Sequence, residues 1–299
     1  LKMTYFQLYG LTAASDWLMT ECLPASLGAE SDIRIIKGLV PAAGIDAASE
    51  DAWEQSIEGE FWLNVEAVAR YWIRNGREII IEPYPEADDE SIRVYLLGSA
   101  IGALLFQRGL LLIHGNAIEV DGGCLVCVGD SGAGKSTLAA AFLQQGHRLL
   151  ADDVVPVDAD GFATPGFPRI KLWGDTARQL GMETEGLRRI MPDMDKYHVP
   201  LGQRFCDSPL PVKWVYVLQA WDRDEFALQP FDGMARFEPL HENTYRVHFL
   251  EAMALKPRHL MQVAALAGRI RMARILRPAQ GFRLPALVRF ILGDIQNPS

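Results

Sequence analysis

Continuous or alternating runs of apolar residues, separated by polar turns, predict a series of short strands along the chain. Turns are expected at Asn75-Gly76 and at Asp121-Gly122-Gly123, and the second of these suggests a hairpin. Strands are predicted over residues 5–9, 33–36, 78–82, 110–113, 118–120, 124–128, 147–151 and 212–219. A further strand is expected over 236–240, residues 42–49 form a small-residue loop, and residues 191–205 have no regular pattern.

Apolar residues at helical spacing predict helices between the strands. The helix expected over 88–107 begins with Asp88, Asp89 and Glu90, whose negative charge suits a helix N-terminus. It is apolar apart from Arg93 and too short to cross a bilayer, so a buried helix is expected. Helices are predicted over residues 65–74, 88–107, 137–145, 175–180, from about 249, 259–276 and 285–295.

These elements divide the chain into three parts. Residues 1–87 are expected to form a small α+β N-terminal domain, closed by the prolines after the strand at 78–82. Residues 88–254 alternate strands and helices, and residues 255–299 form a basic helical segment. The length of 299 residues and the hydrophobic content of 49% are enough for a large core and two domains.

Charge is distributed unevenly along the chain. The net charge of −9 disfavours a broad nucleic-acid surface. Residues 255–299 nevertheless carry eight cations and one carboxylate, a net charge of +7. This segment is consistent with an intramolecular clamp, with a docking surface for an acidic peptide, or with a solvated face, and the last is the commonest case.

Four cysteines do not indicate a disulfide scaffold. Cys124 and Cys127 are spaced as C-x-x-C, but positions i and i+3 of a strand face opposite sides, and no second pair exists. A zinc site is therefore not expected. The sequence begins without a signal-peptide pattern and contains no long uncharged apolar run, so we expect a cytoplasmic protein without a membrane partner.

The strand at 124–128 and the helix at 137–145 flank a stretch that fits G-x-x-x-x-G-K-[ST], the phosphate-binding loop. Backbone N–H groups of such a loop surround a polyphosphate, its lysine contacts the outer phosphates, and its hydroxyl ligates Mg²⁺. The alternative is a glycine-rich turn without a ligand. The expected nucleotide-binding residues are Gly129, Asp130, Ser131, Gly132, Ala133, Gly134, Lys135, Ser136 and Thr137.

Asp152 and Asp153 follow the strand predicted at 147–151, just after the helix of this loop. Carboxylates at such a strand end are positions for a magnesium ligand or a base. Because adjacent strand residues point to opposite faces, the pair could serve both roles. A solvated turn, where aspartate is common, is the alternative. His114 lies shortly before the loop and is equally compatible with a structural and a chemical role.

Taken together, these motifs resemble HPr kinase/phosphorylase, specifically its catalytic domain and the shorter HPr-kinase-like proteins of bacterial gene clusters. The resemblance covers about residues 88–175 well and the rest loosely. It implies an α/β fold with a P-loop catalytic domain like that of HPr kinase and phosphoenolpyruvate carboxykinase, with a small α+β N-terminal domain and C-terminal helices. The segments that carry it are Leu112-Ile-His-Gly115, Gly129-Asp-Ser-Gly-Ala-Gly-Lys-Ser136 and Gln145-Gly-His-Arg-Leu-Leu-Ala-Asp-Asp153.

The resemblance also implies roles, with ATP and Mg²⁺ as cofactors. Asp152 looks like the general base for a serine hydroxyl, and Asp153 looks like the partner of Ser136 in supporting Mg²⁺, although the two acids could exchange roles. His114 matches the family histidine near the transferred phosphoryl group, and Lys135 is the third expected catalytic residue. The implied reaction is phosphoryl transfer, which depends on positioning and charge neutralisation.

One departure from the family pattern qualifies the resemblance. The Glu-Ile-Arg-Gly-Leu-Gly signature tied to phosphorylase activity is absent, and Pro168-Arg-Ile-Lys-Leu-Trp173 stands in its place. A dedicated kinase is therefore expected rather than a reversible enzyme. Candidates for neutralising phosphate charge, each of which could equally be a surface cation, are Arg169, Lys171, Lys196 and Arg246.

The N-terminal region resembles that of short homologues found beside lasso-peptide biosynthesis enzymes. Those homologues are similar to kinases that phosphorylate the C-terminal serine of a precursor peptide. The expected partner is therefore a peptide or small protein with an acceptor serine, and a homo-oligomer is compatible with the family. Two alternatives stay open: a small-molecule kinase on the same scaffold, and a nucleotide-sensing module without an acceptor.

Overall fold

An eight-stranded sheet occupies the N-terminal part of the computed structural model, which describes residues 3–26, 28, 30–41, 54–57, 59–191, 194–281 and 283–297. The loop expected over 42–49 lies outside the described residues. The strands follow the order β3-β1-β2-β4-β8-β7-β6-β5. They are β1 (Thr4–Leu8), β2 (Leu11–Ser15), β3 (Leu23–Pro24), β4 (Ile33–Lys37), β5 (Glu54–Ile57), β6 (Glu60–Val65), β7 (Ala69–Arg74) and β8 (Glu78–Pro83).

The helix expected over 65–74 is wrong, because this stretch forms the end of β6, a turn and β7. In β7 the buried residues alternate with partly exposed ones, which is the period of a strand. Trp72 stacks on Trp62 of β6 with ring centroids 5.9 Å apart. The described residues before Asp89 contain no helix, so the expected α+β character of residues 1–87 is not observed there, whereas the boundary at 87 stays a prediction.

A long buried helix follows, as expected for residues 88–107. It consists of α1 (Asp89–Tyr95), a π-helical turn (Leu96–Ala100) and α2 (Ile101–Gln107). Asp88 caps it by accepting a hydrogen bond of 2.7 Å from the Ser91 N–H. The helix packs against the N-terminal sheet in one apolar cluster, and the Tyr71 hydroxyl donates to the Ile92 carbonyl at 2.9 Å. The apolar core therefore continues across the predicted domain boundary.

A second, seven-stranded sheet carries the central motifs, and its strands follow the order β10-β9-β11-β12-β16-β18-β17, with an additional parallel pairing of β10 with β16. The turn residues at 121–123 predict a hairpin, and β9 and β10 form one: Asp121 and Gly122 both have positive φ, as a type I′ turn requires. The strands are β9 (Leu111–Val120), β10 (Gly123–Val128), β11 (Leu149–Val157), β12 (Phe162–Ala163), β16 (Leu210–Trp221), β17 (Ala227–Pro230) and β18 (Arg271–Pro278).

Helices and a small third sheet cover this sheet. The third sheet has the order β13-β15-β14 and falls partly in the stretch expected to be irregular. Its strands are β13 (Arg169–Trp173), β14 (Arg188–Arg189) and β15 (Lys196–Pro200). The helices are α3 (Lys135–Gln144), α4 (Gly174–Gln179), α5 (Phe237–Glu242), α6 (Phe249–Ala252), α7 (Lys256–Ala267) and α8 (Leu284–Gln296), with 3-10 turns at Gly202–Arg204 and Gly233–Arg236.

Two sequence predictions for the C-terminal half are wrong. Residues 236–240, expected to be a strand, lie mainly in α5. The helix expected over 259–276 ends at Ala267, and Arg271–Pro278 forms β18, paired with β16 on one side and β17 on the other. The buried residues of β18 come in pairs between Arg271, Arg274 and Arg277, and this spacing of three is closer to the period of a helix than to the alternation of a strand. Residues 255–299 therefore contribute the strand β18 to the second sheet as well as the helices α7 and α8.

The second sheet has an apolar core on each face. Cys127 lies in the cluster under α3 and α8, and Cys124 lies in the cluster under α7. The two cysteines therefore face opposite sides, as their spacing predicts. None of the helices described is both long and apolar enough to span a lipid bilayer.

Candidate functional site

A cavity of about 440 Å³ opens where β9, α3, β11 and β13 meet. It brings together most of the residues singled out from the sequence, whereas Gly129, Asp130 and Ala133 of the glycine-rich loop do not line it. Its lining residues are His114, Gly115, Asn116, Ser131, Gly132, Gly134, Lys135, Ser136, Thr137, Asp152, Asp153, Lys171, Trp173, Thr176 and Lys196.

The loop 129–136 is held in place by its glycines and by one distant side chain. Gly129 has φ 136°, and a Cβ there would lie 2.5 Å from the Leu218 carbonyl oxygen. The Gly129 N–H donates to the Asn243 side-chain oxygen at 2.9 Å. Gly134, with φ 95°, turns the chain into α3. The backbone N–H groups at the start of α3 therefore face the same cavity as the acids.

Replacement of Gly129 by alanine is expected to destabilise the protein. The left-handed backbone alone costs about 1–3 kcal/mol for a residue with a side chain, and the Cβ also meets backbone rather than a flexible side chain. Gly132→Ala is the matched control, because its φ is 83° but nothing lies within 4 Å of the added Cβ. Urea unfolding should give a larger loss for Gly129→Ala, and equal losses would contradict the proposed contact with Leu218.

Lys135 lies across the loop that precedes it. Its Nζ donates to the carbonyl oxygens of Gly129 at 2.6 Å and Asp130 at 3.1 Å. Burial lowers the pKa of Lys135, although Asp153 opposes this shift. The Lys135 ammonium thus sits between the loop and the acids, where a cation can neutralise phosphate charge.

Asp152 and Asp153 lie in the middle of β11 rather than at its end. The expectation that they point to opposite faces is wrong, since both line the cavity. Asp153 has φ 76°, a left-handed conformation that interrupts the regular alternation of the strand. The pair therefore presents two carboxylates to one space.

Asp152 is buried, with 9% of its surface exposed. Its Oδ1 accepts a hydrogen bond from the Asn116 side-chain amide, and its Oδ2 accepts one of 2.7 Å from the Lys171 backbone N–H. Burial, followed by the neighbouring Asp153 charge, raises the pKa of Asp152. A carboxylate with a raised pKa is a stronger base when ionised.

Asp153 has the opposite electrostatic character. Its Oδ2 pairs with Lys171 Nζ at 2.8 Å, and its Oδ1 lies 3.4 Å from His114 Nδ1. Burial would raise the pKa of Asp153, but the charge and hydrogen bond of Lys171 outweigh it and hold the pKa well below its usual range. Two neighbouring acids whose pKa values are pushed apart are suited to different roles.

His114 belongs to the same group of side chains. Its Nδ1 lies 3.0 Å from the Asp153 carbonyl oxygen, and its backbone N–H donates to the Asn243 carbonyl at 2.7 Å. Burial lowers the pKa of His114, with Asp153 opposing the shift, so the imidazole is largely neutral near pH 7. A neutral imidazole beside the acids can accept or donate a hydrogen bond.

The four candidate cations are split between the cavity and other surroundings. Lys171 and Lys196 line the cavity. Arg169 is buried instead beside Glu21, 3.7 Å away, and donates to His198. Arg246 is exposed and lies over the Tyr245 ring. Arg169 and Arg246 are therefore not brought into the cavity.

Asn116 and Asn243 are site residues that the sequence did not reveal. Asn116 lies two residues after His114 on the same strand. Because residues two apart in a strand share a face, this spacing could have indicated that Asn116 lies near His114 in the site. Asn243 contacts Gly129 across more than a hundred residues, so no local pattern could identify it.

Comparison with known proteins adds an independent observation. The family described as the HPr Serine kinase C-terminal domain matches residues 110–164, the stretch that contains His114, the glycine-rich loop and both acids. The HPr kinase/phosphorylase of Pediococcus pentosaceus is 30% identical over 141 residues, which are 46% of this chain and 38% of that protein. The central part of the chain is therefore similar to HPr kinases.

Other comparisons are shorter or weaker. The HPr kinase/phosphorylase of Clostridium botulinum is 34% identical over 71 residues, or 23% of each chain. That of Caldanaerobacter subterraneus is 45% identical over 47 residues, 16% of this chain and 15% of that protein. The matches thus span less than two fifths of these relatives' length.

A solved structure of the Hpr(Ser) kinase/phosphatase from Coxiella burnetii is 14% identical in sequence. The alignment covers 62% of the present chain and 90% of the Coxiella burnetii chain. Its TM-score of 0.29 is too low to compare the folds in detail. The fold is mixed α/β, as the sequence predicted, and the likeness to phosphoenolpyruvate carboxykinase stays a prediction.

Proposed function

We propose that the protein is an ATP- and Mg²⁺-dependent kinase that transfers the γ-phosphoryl group to a serine hydroxyl on a peptide or small protein. The observation that carries the proposal is a single cavity lined by Lys135 and Ser136 of the glycine-rich loop together with Asp152 and Asp153. Phosphoryl transfer requires a polyphosphate site, a magnesium ligand and a group that receives the hydroxyl proton within reach of one another.

The donor set fits the cofactors. The glycine-rich loop and the first turn of α3 would hold the phosphates, with Lys135 on the outer ones. Ser136 and Asp153 would hold Mg²⁺ together with phosphate oxygens and water, as magnesium sites usually do. In the described part of the chain no group of three His, Cys, Asp or Glu side chains could hold a metal ion by itself. The proposed ion would bind together with the nucleotide and supply charge neutralisation.

Asp152 and Asp153 are proposed to have different roles. Asp153, held ionised by Lys171, suits the metal ligand, and Asp152, with its raised pKa, suits the base. The serine oxygen forms a bond to the γ-phosphorus as the bond from phosphorus to the β,γ-bridging oxygen breaks. Asp152 receives the hydroxyl proton, and His114, which lies beside Asp153 in the same cavity, orients the reacting group.

The reaction is proposed to run in the kinase direction. The segment 168–173 stands where the family has its phosphorylase signature, and here it includes β13. Lys171 of β13 contacts both acids, through its backbone N–H to Asp152 and its ammonium to Asp153. We therefore assign this segment to holding the carboxylates, and no residue set for the reverse reaction is proposed.

The acceptor is proposed to be the C-terminal serine of a peptide, most specifically a lasso precursor peptide. The support is the resemblance of the N-terminal region to homologues beside lasso-peptide enzymes. Lys196 lines the cavity with its Nζ 5.5 Å from the exposed Trp173 ring, so a cation at the rim is available to a terminal carboxylate. A C-terminal serine would bring both the hydroxyl and that carboxylate to the cavity.

The test is incubation with γ-labelled ATP, Mg²⁺ and a peptide ending in serine, followed by mass spectrometry of the peptide. Matched peptides end in alanine or in serine amide. We expect one phosphate on the serine-ended peptide and none on the alanine-ended one, with less on the amide. ATP consumption stimulated only by small metabolites would instead favour the small-molecule kinase. ATP binding without any phosphorylated product would favour the nucleotide-sensing module.

A further inference from the structure

A second cavity, of about 360 Å³, lies on the other side of the glycine-rich loop. Gly132, Gly134, Thr137 and Thr176 line both cavities, so the two spaces meet at the loop and at the start of α3. The remaining lining comes from α4, β16 and the C-terminal segment. These residues are Gln179, Leu218, Phe226, Arg277, Pro278, Ala279, Gly281, Arg283, Leu284 and Leu287.

The second cavity is chemically unlike the first. The cavity of the acids carries three lysines and two carboxylates, whereas the second has an apolar wall and no carboxylate among its lining residues. Leu284 and Leu287 of α8 are buried in this wall. Phe226 is partly buried, and its ring packs on Phe290 with centroids 5.6 Å apart. A cavity that combines an apolar wall and an aromatic side chain with polar groups such as Gln179 and Arg277 has the mixed lining of a small-molecule site.

Arg277 connects this cavity to the glycine-rich loop. Its Nε and Nη2 both donate to the Ala133 carbonyl, at 3.0 and 2.8 Å, and its Nη1 donates to the Pro278 carbonyl. No carboxylate of the described residues forms an ion pair with it. A partly buried guanidinium bound only to carbonyl oxygens keeps its positive charge beside the loop, where it favours an anion.

We propose that the second cavity holds the nucleoside part of the phosphoryl donor, with its base against Phe226 and the α8 wall, and that Arg277 fixes the loop between nucleoside and phosphates. This inference rests on the proposed kinase function and assigns the donor's second contact region. A nucleotide whose polyphosphate follows the loop and α3 would have its nucleoside in the space that shares those lining residues. Base–aromatic stacking is favourable for every base, so the site recognises a nucleotide without requiring one particular base.

The contacts of the basic segment 255–299 bear on its role. Several of its cations have partners: Lys256 pairs with Glu251, Arg271 with Asp294 and Arg283 with Asp224. Arg277, in contrast, donates hydrogen bonds to the Ala133 carbonyl of the glycine-rich loop. Of the three interpretations of this segment, the intramolecular clamp is the one that these contacts favour, and its target is the loop 129–136.

The experiment compares Mg²⁺-dependent binding of ATP and inorganic tripolyphosphate, which share three phosphates but differ in the nucleoside. The wild-type protein should bind ATP at least about tenfold more tightly than tripolyphosphate, because only ATP stacks in the second cavity. Ala279 is an exposed residue of the cavity lining, and Ala279→Trp should fill the cavity. This variant should weaken ATP binding by about tenfold or more and leave tripolyphosphate binding unchanged. Phe226→Ala should act in the same direction if the tryptophan variant does not fold.

Two further variants distinguish a failure of the nucleoside assignment from a failure of the proposed kinase function. Met234→Trp places the same side chain on a residue that is 84% exposed and lines neither cavity, and it should leave both affinities unchanged. Lys135→Ala should weaken the binding of ATP and of tripolyphosphate to the same extent. The nucleoside assignment would be overturned if the wild type bound ATP and tripolyphosphate equally, or if Ala279→Trp weakened the binding of both equally. The proposed phosphate site would be unaffected by either result. If neither compound binds the wild type, the proposed function fails, and the nucleoside site fails with it.

Discussion

Asp152→Asn should reduce phosphoryl transfer to a serine-ended peptide by on the order of 10²–10⁴-fold, because the variant lacks the proposed base. The substitution changes little in shape. An asparagine at 152 keeps an oxygen for the Lys171 backbone N–H, and the Asn116 amide can turn to accept from the new amide group. ATP binding should therefore persist, so transfer in a single turnover, measured beside ATP affinity, checks the prediction.

The same variant should not lose stability, which separates chemistry from folding. In the wild type, burial and the Asp153 charge disfavour the ionised form of Asp152, and the amide removes both penalties. We therefore expect an unchanged or raised Tm. Asp158→Asn is a matched control, because Asp158 accepts its two backbone hydrogen bonds through one oxygen that asparagine retains. Transfer by Asp152→Asn above a tenth of the wild-type rate would exclude Asp152 as the base.

The parts of the site that the sequence predicted are those set by local rules. The strand, the glycine-rich loop and the helix follow one another within about twenty residues, and each has its own pattern of apolar residues and glycines. The double aspartate was found for the same reason, but its geometry was not. The left-handed backbone of Asp153 directs both carboxylates into one cavity, and no rule of strand alternation contains that exception.

The parts that the sequence missed depend on partners distant in the chain. The stretch Arg271–Pro278 has apolar residues compatible with either a buried helix or a strand covered on both faces, and only its pairing with β16 and β17 decides between them. With that strand misassigned, Arg277 could not be placed beside Ala133. The second cavity, which combines α4, β16 and α8 with the loop, was therefore beyond prediction from local patterns.

Lys171→Met should impair both stability and phosphoryl transfer, because the Lys171 ammonium is the charged partner of Asp153. The backbone N–H that bonds Asp152 remains, but the ammonium 2.8 Å from Asp153 is lost. Loss of one partner of a fully buried pair costs about 3–5 kcal/mol. Asp153 keeps 31% of its side chain exposed, so we expect roughly 1–3 kcal/mol at neutral pH. Transfer should fall by on the order of 10²–10³-fold, as when a preorganised charge is removed.

The dependence of this loss on pH identifies its cause. The pKa of Asp153 lies below its unfolded value, so the ion pair contributes stability above pH ~4, and the contribution is lost as the pH falls through the folded pKa. Without Lys171, burial raises the pKa of Asp153, and the difference in unfolding free energy from the wild type should shrink below pH ~4. Lys196→Met is the comparison variant: Lys196 forms no ion pair with a described carboxylate and lowers the pKa of Asp153 less than Lys171 does, so its pH-dependent loss should be smaller. Urea unfolding of both variants from pH 3 to pH 7 measures this difference, and a loss for Lys171→Met that is independent of pH would show that the lysine acts by packing rather than by its charge on Asp153.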